Sequence, residues 1–229
     1  EGRKILRVSW LFVTVLLLCL QCFYPVGSVQ AATEITFTGA ELLGMPTDTS
    51  ITINIIPDSA IEYYYQYGTN SGSYSHETAH YTASGGEVDE IVISGLEPDT
   101  QYFYRMQYNY NGSGWVVRSE HTFHTQRDEG ESFVFTVLSD SHAMYNTQYQ
   151  NAVIEIIADQ PDFHLDLGDT FMTDSAGSQG TVDNEYLAQR GLPYIGGIGQ
   201  SSPIFLASGN HENEEGWNPC YFKHWFVFY

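Results

Sequence analysis

Three short segments hold most of the residues able to do chemistry: Asp140-Ser141-His142, Gly168-Asp169 and Gly209-Asn210-His211-Glu212. Carboxylate, imidazole and amide donors in one set suit divalent ions of the manganese, iron or zinc type. Two such ions close together can share a hydroxide, hold a phosphoryl oxygen and stabilise an in-line displacement. A single Asp after an apolar run is commonly a helix N-cap, and Gly-Asp is an ordinary turn. Three consecutive apolar runs that each end in such donors are much harder to read as unrelated caps. The sequence has no Gly-x-x-x-x-Gly-Lys phosphate loop and no Gly-x-Ser-x-Gly nucleophile turn, so those hydrolase chemistries lack support.

The runs themselves read as strands. Phe133–Leu138 is continuously apolar, which predicts a strand buried on both faces, and it ends at Ser139-Asp140. Gln148–Asp159 follows with helical apolar spacing at Ala152, Ile156 and Ile157, and Pro161 stops it. Phe163–Leu167 predicts a second strand, a helical stretch near Val182–Arg190 comes next, and Pro203–Ala207 predicts a third strand. Strand, helix, strand, helix, strand is the pattern of a parallel sheet covered by helices, and ligands collect at the carboxyl ends of such strands. His164 and Asp166 alternate on the second strand. They either support the site from behind or represent a buried strand histidine held by a backbone carbonyl, and the latter reading is preferred.

The preceding segment, Glu34 to about Gln126, has a different texture. Glu34–Phe37, Ser50–Ile56, Ile61–Tyr67, Glu90–Ile93, Gln101–Tyr108, Trp115–Arg118 and His121–His124 are rich in β-branched and aromatic residues, with turn residues such as Pro57-Asp58 and Asn111-Gly112 between them. That number of short strands predicts an immunoglobulin-like β-sandwich. Gly95-Leu96-Glu97-Pro98-Asp99-Thr100-Gln101-Tyr102 resembles the corner of fibronectin type III domains. There the Leu fills the core, the Pro stiffens the turn, and the Tyr hydroxyl bonds back to upstream backbone. His121 and His124 fall on opposite faces of a strand, which argues against a shared metal. Tyr63, Tyr64, Tyr65 and Tyr67 read as one strand dressed on both faces rather than as a carbohydrate platform. Asn111-Gly112-Ser113 fits a glycosylation sequon and equally a hairpin turn.

Charge narrows the function classes. Among 229 residues, 28 Asp and Glu face 8 Lys and Arg, for a formal charge of −20. Nucleic-acid binding and adhesion to anionic lipid both need a basic surface that this chain lacks. With 42% hydrophobic and 15% aromatic residues, the chain can bury a core and is not compositionally disordered. At the N-terminus, Arg3, Lys4 and Arg7 precede an uncharged apolar run, Trp10 to Phe23, and Val29-Gln30-Ala31 offers a small-x-small cleavage site. Residues 1–31 therefore read as a signal peptide more than as a membrane anchor, since a span needs about 18 or more apolar residues. Cys19 and Cys22 leave with it. Only Cys220 remains, so no internal disulfide is expected in the exported chain.

In this order and at these spacings, the three motifs resemble the calcineurin-like metallophosphoesterase superfamily. A fibronectin-like domain ahead of such a core is similar to the arrangement in purple acid phosphatases and their bacterial relatives. The resemblance implies a fibronectin type III-like β-sandwich over residues 32–127, then the first part of an α/β metallophosphoesterase domain over 132–229. It implies Asp140 and His142 on a first metal, Asp169 bridging two metals, and Asn210 on the second through its side-chain oxygen. His211 would face the phosphoryl group, and Glu212 would orient His211. Two departures matter. Met172 stands where purple acid phosphatases carry the tyrosine that colours their ferric iron, and His142 stands where their first motif has Gly. The metals implied are therefore a colourless manganese, iron(II) or zinc pair. The family's later lone His and Gly-His-x-His do not follow Glu212, and His224 matches neither, so the chain reads as C-terminally truncated and weak on its own. The expected function is an exported, secreted, periplasmic or cell-surface phosphoesterase acting on a small phosphorylated substrate, monoester before diester. The alternative is a surface-binding protein that uses the fibronectin-like domain and keeps a relic enzyme domain.

Overall fold

In the computed structural model, residues 31–142, 147–173 and 176–212 are described. Residues 1–30 of the segment read as a signal peptide, with Cys19 and Cys22, and the stretch holding Cys220, His224 and Trp225–Tyr229, lie outside the described residues. Alternation of apolar and polar residues sets the first half. Its strands are β1 Leu42–Gly44, β2 Ser50–Ile55, β3 Ile61–Gly68, β4 His76–Glu77, β5 Tyr81–Ala83, β6 Asp89–Ser94, β7 Gln101–Asn109, β8 Trp115–Val117 and β9 His121–His124. In β7 every second residue, from Tyr102 to Tyr108, is buried, the period-two signature of a sheet with one face in a core. One antiparallel sheet runs β1-β2-β6; the other runs β4-β3-β7-β8, with β5 added to β3 and β9 to β7. The isoleucines of β2 and β6 share one core with Tyr63, Tyr65, Tyr104, Met106 and Phe123 of the second sheet. At the corner, the Glu97 N–H donates to the Tyr102 hydroxyl at 2.9 Å while Leu96 is buried.

Several local expectations are corrected. Glu34–Phe37 is not a strand: Phe37 makes an isolated bridge to Pro57, and the side chains of Thr36 and Thr38 both donate to Asp58. The chain must turn at Gly39 (φ +76°), where a Cβ would lie 2.3 Å from the Cβ of Arg190, and the edge strand forms later, as β1. The short strands β4 and β5 carry no strong apolar pattern. In β3, Tyr63 and Tyr65 are fully buried, whereas Tyr64 lies on the other face, stacked on His80 at 4.6 Å and edge-on to Trp115 at 4.9 Å. His121 packs against Tyr104, and His124 bonds the Thr125 carbonyl.

The second half contains β10 Phe135–Leu138, α1 Thr147–Asp159, β11 Phe163–Asp166, α2 Gln179–Gln189, α3 Ile195–Gly199 and β12 Ile204–Leu206. The three strands form a parallel sheet in the order β10-β11-β12, with Leu138 opposite Asp166 and Asp166 opposite Leu206. Carboxyl ends are thereby aligned along one rim. In α1 the buried stripe is Tyr149, Val153 and Ile156, not Ala152, Ile156 and Ile157, and Ile157 is 41% exposed. Ser178 caps α2, its hydroxyl accepting the Thr181 N–H at 3.2 Å. The expectation that Phe133–Leu138 is buried on both faces is corrected too. Phe135 and Val137 are exposed, as are Phe133 and Val134, because the helices pack on the face bearing His164, Asp166 and Ile204. On the opposite face, the rings of Phe133, Phe135, Phe163 and Phe205 cover one another.

From Ala32 on, the described residues form one compact unit, and β1 shows why. Leu43 belongs to the sandwich core, but Leu42, pointing the other way, is packed among Tyr149, Val153, Ile198 and Ile204. Arg190, fully buried at the end of α2, donates from its guanidinium to the Thr38 and Ala40 carbonyls at 3.2 and 3.3 Å. The Ala40 N–H returns a bond to the Arg190 carbonyl at 2.8 Å. Leu42→Ala should therefore destabilise by about 2–5 kcal/mol, the cost of emptying a buried leucine site. Urea unfolding followed by far- and near-ultraviolet circular dichroism should still show one transition. Two resolved transitions would show that the halves unfold independently.

Candidate metal centre

Each of the three motifs follows a strand of the parallel sheet, and two of them bend sharply. Asp140 (φ +52°), His142 (φ +45°) and Asp169 (φ +56°) all have left-handed backbone, as does Gly168 at +93°. Asp and His are among the side chains that tolerate this region best. Each such residue still costs on the order of 1–3 kcal/mol and persists only where its surroundings fix it. Here they do. The Asp140 N–H donates to the Gly168 carbonyl at 3.0 Å and the His142 N–H to the Asp169 carbonyl at 2.9 Å. The His211 N–H donates to Asp169 Oδ1 at 2.9 Å. Close approach explains both glycines: a Cβ on Gly168 would fall 2.2 Å from the Gly209 nitrogen, and one on Gly209 would fall 2.1 Å from Asp169 Oδ1.

Glu212 locks the second and third loops together. Its buried carboxylate accepts four backbone N–H groups: Asp169 and Gly209 on Oε2, Thr170 and Phe171 on Oε1, all at 2.8–2.9 Å. The bonds to the carboxylate come from these amides rather than from the His211 imidazole, and one of them, the Gly209 N–H, lies two residues before His211. Thr173 adds a second clasp, its hydroxyl donating to the His211 carbonyl at 2.7 Å.

The result is a donor set. Ligand atoms of His142, Asp169 and His211 lie within 4.8 Å of one another, and the two imidazoles stand edge to face at 5.1 Å. Two imidazoles and a carboxylate are the donors a borderline divalent ion takes, so these residues fit a metal. Asp140 is exposed, accepts from the Ser139 hydroxyl and stands outside this trio. Asn210 is exposed on the loop between Gly209 and His211. His211, expected to face substrate, thus sits with the ligand candidates.

Behind the rim lie Asp166 and His164, which the sequence leaves between support of the site and a buried strand histidine held by a backbone carbonyl. Asp166, 1% exposed, accepts the Gly168 N–H at 3.0 Å and the Thr170 hydroxyl at 2.9 Å on both oxygens. The Thr170 hydroxyl also meets that of Ser141 at 2.9 Å. Burial pushes Asp166 up to about 6, against the pull of Gly168 and Thr170. Burial likewise pushes His164 down to about 4, and its Nδ1 bonds the Thr136 hydroxyl at 2.9 Å rather than a backbone carbonyl. A period-two pattern could place His164 and Asp166 on the covered face, but hydroxyl partners from other segments have no sequence signal.

No protein-family model matches the sequence, and no curated protein matches it at significance. Solved structures do match. The chain is similar to a structure of PhoD, with a TM-score of 0.54 and 15% identity, covering 79% of this chain and 40% of that one. It is also similar to purple acid phosphatase PPD1 from yellow lupin seeds, with a TM-score of 0.53 and 16% identity, covering 76% and 36%. The likeness to both is one of fold. The chain spans about 40% or less of the length of these two structures. No helix among the described residues is long and apolar enough to cross a membrane.

The two buried groups predict an unusual pH profile. An unfolded His164 gains its proton below 6.5 while the folded one waits until about 4, so its contribution to stability is lost as pH falls through that window. An unfolded Asp166 ionises above 3.8 and the folded one only near 6, so its contribution is lost as pH rises. Between pH 4 and 6 the two slopes oppose and nearly cancel. In metal-free protein, His164→Leu should make stability fall with rising pH in that window by about 1.4 kcal/mol per unit relative to the parent. Asp166→Asn should do the reverse. Parallel profiles for parent and variants, read by urea titration at each pH, would refute the assignment.

Proposed function

We propose that this chain carries the metal-binding motifs of an exported, metal-dependent phosphoesterase acting on small phosphate esters. The observation that carries the reading is the meeting of His142, Asp169 and His211 at the carboxyl rim of a parallel sheet in a metallophosphoesterase-like fold. Asp140, His142 and Asp169 would hold one divalent ion, and Asp169 with Asn210 a second, of the manganese, iron(II) or zinc type. Such ions supply positive charge that neutralises phosphoryl oxygens and activates water. His211 is the residue of this chain placed to stabilise the phosphoryl group or protonate the leaving oxygen. Glu212 holds its loop in register. The surplus of acidic residues disfavours polyanions, so a small ester drawn in by local metal charge fits better than nucleic acid. Residues 1–31 would direct export and be removed.

Asp169→Asn and His211→Ala separate the roles. In the full-length protein, with p-nitrophenyl phosphate as substrate and metal content read by elemental analysis, Asp169→Asn should abolish turnover and lower bound metal. His211→Ala should slow turnover roughly 10²–10⁴-fold and, because Asp140, His142 and Asp169 stay in place, retain more metal than Asp169→Asn. Equal metal loss in both variants would make His211 a ligand. Absence of both metal binding and hydrolysis in the unaltered full-length protein would refute the reading as a whole.

A further inference from the structure

On the basis of that reading, we propose that Thr170 is a positioning residue whose hydroxyl sets the first metal-binding loop, through Ser141, against the buried carboxylate of Asp166. Ser141 stands between the ligand candidates Asp140 and His142, on backbone that is left-handed on both sides of it. Thr170 directly follows the ligand candidate Asp169 and is fully buried. A threonine hydroxyl has one proton. At neutral pH Asp166 is ionised and can only accept, so the Thr170 hydroxyl donates to it and is left to accept the Ser141 hydroxyl at 2.9 Å. The direction of each bond follows from Asp166, which the Gly168 N–H also anchors.

One hydroxyl therefore ties together the sheet, the second loop and the first loop. The backbone bonds from Asp140 to Gly168 and from His142 to Asp169 fix how far apart the two loops lie. The Ser141–Thr170 contact is a side-chain tie between the two loops, beside those backbone bonds, and it fixes how the His142 segment is rotated over Asp169. Replacing groups that hold metal ligands in place typically weakens metal affinity about 10–100-fold without removing a ligand.

The test uses cobalt(II) as the probe on the whole chain, reading both affinity and the visible ligand-field spectrum. Thr170→Val keeps the shape and deletes the hydroxyl, Thr170→Ser keeps the hydroxyl and deletes the methyl, and Ser141→Ala cuts only the outer link. Thr170→Val and Ser141→Ala should bind cobalt roughly 10–100-fold more weakly, with an altered spectrum, and Thr170→Ser should restore both. Thermal melts of the metal-free proteins check folding. If Thr170→Val does not fold, Ser141→Ala at its partly exposed position carries the comparison. Tight binding with an unchanged spectrum in Thr170→Val and Ser141→Ala would overturn the positioning role and leave the metal centre standing. Equal weakening in Thr170→Ser and Thr170→Val would overturn it as well, because packing of the methyl would then be the cause. Failure of the unaltered chain to bind cobalt at all would remove the metal reading itself.

Discussion

The candidate site depends on one buried carboxylate. Glu212 brings two oxygens to a point where four backbone N–H groups from two loops converge. A buried acceptor of this kind satisfies amides that no strand or helix can pair, and leaving them unpaired would cost about 1–3 kcal/mol each. The loops meet so closely that both approach points must be glycine, Gly168 and Gly209. With the two loops held in contact, Asp169 Oδ1 reaches the His211 N–H, and the side chains of His142, Asp169 and His211 are left facing one another.

Around this clamp the site is built from conformations that are unfavourable in isolation. Asp140, His142 and Asp169 all hold left-handed backbone, and each is fixed by hydrogen bonding to a neighbouring loop. Below them the sheet buries an imidazole and a carboxylate two residues apart on β11. Burial drives both toward their neutral forms, one downward in pKa and one upward. The charge density of the centre is thereby concentrated at the rim, where a cation would neutralise it, while the support beneath stays uncharged over part of the acidic range.

The α/β layer is in turn supported by the sandwich. Adjacent leucines of β1 enter different cores, and Arg190 spends its guanidinium on carbonyls of the segment that precedes β1. The Tyr104 hydroxyl adds a bond to the Gln200 carbonyl at 2.8 Å, linking the central strand of the sandwich to the turn before β12. Rigidity at the rim that holds the candidate site thus draws on packing that spans both halves.

Much of this was legible in the sequence. Alternation gave the long sandwich strands, the Leu-x-Pro-x-Thr-x-Tyr run gave the corner, and apolar runs broken by helical spacing gave a parallel sheet with donors at its strand ends. These features are local, with period, turn chemistry and motif all written within a few residues. What lay beyond the sequence depends on contacts between distant segments. The tie of Thr36 and Thr38 to Asp58 displaced an expected strand, and a continuous apolar run turned out to have one exposed face. Glu212 bonds amides up to 43 residues away rather than its neighbouring imidazole. Thr170 meets Ser141 across 29 residues. Hydrogen bonds between loops have no periodicity, so only the tertiary structure could decide which donor faces which acceptor.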